Sequence, residues 1–79
     1  EISGNLFTNL QIQPTNKTKS IVKVSGQHNE FHGMVWDLQK INHENELIEL
    51  TDKSMNTVVE MSSVPANRVL DSGRSNIVK

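Results

Sequence analysis

Apolar residues in this chain come in short alternating runs, and polar punctuation separates the runs. Alternation with a period of two is the pattern of half-buried strands, whereas helices repeat near 3.6 residues. Asn9 to Pro14 sets Leu10 and Ile12 on one side, and Pro14 closes the run because proline cannot donate to a strand ladder. Thr15 to Lys19 is a polar turn. Ser20 to Ser25 is the clearest strand, with Val22 and Val24 facing one way and Ile21 and Lys23 the other. Gly26-Gln27-His28-Asn29 reads as a turn.

Glu30 to Leu38 is apolar on both sides. Phe31 and Val35 lie on one, while Met34, Trp36 and Leu38 lie on the other. Such a strand needs cover on both faces, which a small barrel supplies if the strand bends, and Gly33 is the position where a bend costs least. Lys40 to Glu46 reads as a connection. Glu46 to Thr51 and Thr57 to Met61 pair as an expected hairpin, and a short last strand runs from about Arg68 to Leu70. His43 to Lys53 also has the Glu and Leu content of a helix, but its apolar residues cluster at Leu47, Ile48 and Leu50, and strand is preferred. No internal repeat or heptad is evident. The chain start before Phe7 and the tail from Asp71 read as loosely ordered. The expectation is an all-β fold of five or six strands closed into a small barrel, since closure removes exposed edges.

Length sharpens this picture. Seventy-nine residues hold one domain, read here as 1–79 with an ordered core of about 7–71. Such a chain sits near the stability limit, and with no cysteine a disulfide, a zinc ribbon and thiol chemistry are all excluded. A partner or a longer parent chain is the expected remedy, and the initial Glu1 fits an excised fragment. No apolar run approaches the roughly 20 residues of a membrane span, so no membrane partner is expected. An intracellular location, cytoplasmic or nuclear, is the expectation. Asn16-Lys17-Thr18 fits the glycosylation sequon, a tripeptide common by chance.

Charge is uneven. The net is −1, made of +2 over residues 1–25, −5 over 26–60 and +2 over 61–79. The middle of the chain is therefore acidic, which disfavours non-specific nucleic-acid binding. The alternative reading is a small barrel that binds RNA or single-stranded nucleic acid, and Lys17, Lys19, Lys23, Arg68 and Arg74 are the residues it would have to gather on one face. Trp36, Phe7 and Phe31 are the only aromatics, too few for a base-stacking platform.

Candidate chemistry is sparse. His28, Glu30 and His32 alternate and would share one side of a strand, the start of a metal site if His43 joined them. The preferred reading is a solvated turn and strand face, with no metal and no cofactor. No serine sits in a nucleophile elbow, and no glycine loop cradles phosphate. The acid pairs Glu44 and Glu46, and Glu49 and Asp52, read as a hydrated face. No catalytic residue is assigned, and the chain reads as a non-enzyme.

Two families share parts of this pattern. Ile21-Val22-Lys23-Val24, the turn, and Asn29-Glu30-Phe31-His32-Gly33-Met34-Val35 resemble the first motif of Sm-like proteins, with Glu46–Leu50, Thr57–Met61 and Arg68–Leu70 as the later strands. The resemblance spans about residues 20–71. It departs where the family reads RNA: Asp37 and Asn42 are five apart instead of four, and Asn67-Arg68-Val69 lacks the glycine of the Arg-Gly pair. It is closest to divergent Sm-like subunits of the Gemin type, which keep the barrel for subunit pairing. Val64-Pro65-Ala66-Asn67-Arg68-Val69 is similar to the SH3 Pro-any-Asn-Tyr-Val turn, with Arg68 at the tyrosine's place and no aromatic groove. The resemblances imply a five- or six-stranded SH3-like/Sm-like barrel that pairs by strand addition with another protein or a copy of itself. Trp36, Val59, Met61, Asn67 and Val69 are the expected contact residues.

Overall fold

The computed structural model describes residues 4–42 and 45–79. Seven strands appear in chain order: β1 (Leu6–Ile12), β2 (Val22–Val24), β3 (Glu30–Val35), β4 (Ile48–Leu50), β5 (Val58–Ser62), β6 (Val69–Asp71) and β7 (Ile77–Val78). One-turn 3-10 helices at Leu38–Lys40 and Ala66–Arg68 are the only helical segments among the described residues. The fold is all-β, as the alternation predicts.

The strands do not close on themselves. Odd-numbered strands form a four-stranded sheet in the order β1-β3-β5-β7, and even-numbered strands form a three-stranded sheet in the order β2-β4-β6. Every pairing is parallel. Parallel neighbours cannot be joined by a hairpin and need a long crossover. Here each crossover is itself a strand of the other sheet, so the chain coils as a β-solenoid. Leu6 pairs with Glu30, Glu30 with Val58, and Val58 with Ile77, giving successive turns of 24, 28 and 19 residues.

This changes several expectations. Among the described residues no closed barrel is found. The supposed hairpin partners lie in different sheets as β4 and β5, because the turn between them crosses from one sheet to the other. A repeat exists after all. Ile48–Leu50 is strand β4 and Leu47 leads into it outside any helix, while His43 and Glu44 lie outside the described residues. Among the described residues, regular structure begins at Leu6 and continues past Asp71 to Val78.

The repeat is carried by a corner that recurs before each strand of the larger sheet. Gly4, His28, Asn56 and Ser75 all adopt positive φ, between 53° and 69°. Glycine, asparagine and histidine enter this left-handed region more readily than most residues. The next position holds Asn5, Asn29, Thr57 and Asn76, one above the other. Asn29 Oδ1 accepts the Asn5 N–H at 3.2 Å. Ahead of this corner, Gln27, Met55 and Arg74 bridge in parallel, forming a third narrow column.

The core lies between the sheets. Val22, Val24, Ile48 and Leu50 enter it from the smaller sheet, and Val35, Val59 and Met61 from the larger. Phe7 stacks on Phe31 one turn along, with ring centroids 5.1 Å apart and planes 10° from parallel. The larger sheet is covered on this side only. Phe31 packs against the core and Val35 is buried, but Trp36 remains 46% exposed because the chain leaves the strand at Val35 and turns through left-handed Asp37.

Gly33 faces a bulge in β1, where the register skips between Phe7 and Leu10 and Asn9 takes a positive φ. A Cβ at residue 33 would collide with the Leu10 carbonyl oxygen. Glycine is needed for this close approach.

Candidate functional site

Register decides which side chains meet on the outer surface of the larger sheet. His32 pairs with Glu60, and Glu30 sits two residues before His32 on the same face. The imidazole therefore lies between two carboxylates, with Nδ1 2.9 Å from Glu60 Oε1 and Nε2 3.1 Å from Glu30 Oε1. The Glu60 hydrogen bond, then that of Glu30, raises the His32 pKa above its ordinary value. The bond from His32 holds the Glu60 carboxyl below its usual range. All three side chains contact solvent. His28, expected on the same side, sits instead in the left-handed corner. Among the described residues no group of three His, Asp or Glu side chains is arranged to hold a metal ion, and His43 lies outside them.

The residues expected to contact a partner separate into two kinds. Val59 and Met61 are core, 0% and 2% exposed, because β5 lies inside its sheet between β3 and β7 and turns these side chains inward. The strand that carries these two expected contacts is therefore an interior one. Val69, by contrast, belongs to β6 at the edge of the smaller sheet, while Asn67 is exposed in the adjacent 3-10 turn and Trp36 is exposed at the end of β3.

The basic residues are distributed over different elements. Lys17 and Lys19 lie in the loop between β1 and β2, and Lys23 points out from β2, 3.9 Å from Glu49. Arg68 Nε donates to the Asn45 carbonyl at 2.8 Å, and Arg74 lies in the corner column after β6.

The edges of the two sheets differ in chemistry. At the β6 edge, Asp71 falls in register with Leu50 and Val24, a core column, yet is exposed. Its Oδ1 accepts from the Gly73 N–H at 3.0 Å and from Asn76 Nδ2 at 2.9 Å. A charge at an inward position is one way proteins discourage further pairing. The β1 edge carries no such charge, and its seven residues read Leu-Phe-Thr-Asn-Leu-Gln-Ile. Leu6 is 63% exposed there. Behind β1 lies a largely apolar recess of about 260 Å³, walled by Phe7, Leu10, Ile12, Ile21, Val22 and Phe31 together with Lys23.

Sequence reasoning passed over β1 as an interface. The available signal was an absence of charge from Ile2 to Asn16. No helix among the described residues is long and apolar enough to cross a membrane. No family model, no curated protein and no solved structure matches this chain.

Proposed function

We propose that this chain is a non-catalytic interaction module that pairs, through the edge of a sheet, with another protein or a copy of itself. The observation that supports this reading is the β1 edge, a seven-residue uncharged strand backed by a largely apolar recess. An added strand would extend the backbone ladder and set alternate side chains into that recess, so main-chain bonds give affinity and the apolar side chains give register. Of the other exposed large apolar residues, Leu70 lies on β6 and Ile77 and Val78 on β7, both strands at sheet edges, while Trp36 follows the interior strand β3.

Sedimentation velocity over a wide concentration range tests the reading. The expected result is concentration-dependent association that disappears in the double variant Thr8→Lys, Gln11→Lys. Both residues are exposed on β1, and lysines on an edge strand oppose pairing. A chain that stays monomeric at every concentration, or association unaffected by the two lysines, would overturn the proposal.

A further inference from the structure

On the reading that β1 is a pairing edge, we infer that its partner is a second copy of this chain, related by a two-fold axis that sets the two β1 strands antiparallel. The two ends of the solenoid are not equivalent. At one, β1 offers seven residues at the edge of the larger sheet. At the other, β7 offers two and β6 three, and β6 ends on Asp71, a charge in an inward register position that is held by Gly73 and Asn76. A two-residue strand has little ladder to share, and an inward charge opposes continuation. Stacking one copy's β1 on another's β7 would also leave an edge free at each end, and the assembly would run on as a filament. Pairing β1 with β1 uses the open end of both copies and closes.

The chemistry of β1 is self-complementary. No charge falls between Glu1 and Lys17, so two copies of the strand meet without like charges opposite one another, an arrangement that destabilises a pair. The exposed polar residues of β1 are Thr8, Asn9 and Gln11. Hydroxyl and amide side chains both donate and accept, so each can bond to its own kind across a two-fold axis, which a lysine or an ionised glutamate cannot. A different protein docking here would find no charge on the strand to steer it.

The shape of the strand fits the same axis. Its register skips Thr8 and Asn9, which are at the middle of β1. In an antiparallel pair centred there, the two bulges lie together at the axis, and Leu6 and Phe7 of one copy face residues 10–12 of the other. The exposed Leu6 and the half-buried Phe7, Leu10 and Ile12, three of which wall the recess, are then covered. Lys23, which borders the same recess, stands on β2 in the other sheet beside Glu49, away from the β1 seam.

The chain has no cysteine, so an introduced one reports where two copies touch. The experiment combines sedimentation equilibrium of the intact chain with disulfide trapping of Thr8→Cys and Ile77→Cys, alone and mixed, in a glutathione redox buffer. Both positions are exposed. The expected result is association that stops at two copies. Thr8→Cys is trapped as a covalent dimer about tenfold faster or more than Ile77→Cys, because pairing holds its two thiols together near the axis, and mixing gives no link between positions 8 and 77. Assemblies that grow beyond two copies, or a link between positions 8 and 77, overturn the two-fold inference and leave β1 as an edge that pairs head to tail. A dimer in which Thr8→Cys links no faster than Ile77→Cys overturns it as well. A chain that is monomeric at every concentration overturns it together with the edge-pairing reading.

Discussion

Asn76 reaches back one turn of the solenoid, and its Oδ1 accepts the backbone N–H of Thr57 at 2.9 Å. Thr57 is fully buried, so that N–H has no access to solvent. The Asn76 amide nitrogen donates in turn to Ser54 Oγ at 3.0 Å and to Asp71 Oδ1 at 2.9 Å. One side chain therefore joins a buried donor to the corner on one side and to the end of β6 on the other. A solenoid turn contacts only its neighbours, so stability depends on such interfaces between turns.

Replacement of Asn76 by alanine strands the Thr57 N–H. The expected cost is about 1–3 kcal/mol, the penalty of an unsatisfied buried group. Urea unfolding checks it, with Asn67→Ala, an exposed 3-10 residue, as the comparison that leaves the midpoint in place. Equal midpoints for the two variants would remove the ladder from the account of stability.

Gly33→Ala is a sharper test of the paired bulge. The new Cβ would collide with the Leu10 carbonyl oxygen and sit 2.6 Å from Leu10 Cβ, and neither is the end of a flexible chain. β1 must move away or lose its register, at a cost of roughly 1–3 kcal/mol by analogy with overpacked cores. Amide shifts of Phe7 to Ile12 are expected to move most. A perturbation centred on β5 instead would place the constraint on the wrong neighbour.

The corner residues give a prediction of opposite sign. Ser75 holds φ of 57° at the position that glycine occupies at Gly4. A left-handed residue with a side chain carries roughly 1–2 kcal/mol of strain, which glycine relieves at the expense of added freedom in the unfolded chain. Ser75→Gly is expected to match or slightly raise the thermal midpoint, and Ser75→Val to lower it. A valine variant as stable as the serine parent would mean the corner does not need the left-handed conformation.

These positions also explain what could be read before the structure was known. The alternation at Val22 and Val24, and at Phe31 and Val35, exposed strands and their inward faces, because period two is a property of a single strand. Pairing direction is not encoded in that period, so β4 and β5 looked like a hairpin while the chain was changing sheets between them. The repeat was hidden by unequal turn lengths and by chemical variety at equivalent sites. Glycine, histidine, asparagine and serine share one backbone conformation, and threonine replaces asparagine once in the ladder. Trp36 was expected to be covered because Glu30 to Leu38 was treated as one strand. Asp37 ends that continuity, and the signal for it, an aspartate that tolerates positive φ, is weak in isolation. Val59 and Met61 were read as apolar strand residues, and β5, which carries them, lies inside its sheet between β3 and β7.

The bridge from Glu30 through His32 to Glu60 makes the outer sheet face sensitive to pH, and the signs follow from the two shifts. His32 has a folded pKa raised above the ordinary 6.5, so protonation favours the fold. That contribution is complete below about 6.5 and disappears as pH rises through the higher folded value. Glu60 is lowered from 4.5, so its contribution is present above that value and is lost as pH falls through the lower folded one. The bridge is thus strongest in the mildly acidic window between the two, where an imidazolium faces a carboxylate across β3 and β5. Because the groups are solvated, the effect on unfolding is small and salt-sensitive, and the direct measurement is a proton NMR titration of His32. Glu60→Gln is expected to bring its pKa back toward 6.5 more than Glu30→Gln does, since the Glu60 bond is the larger cause. If Glu30→Gln has the greater effect, the link along β3 outweighs the link between strands, and the face does not tie adjacent turns together.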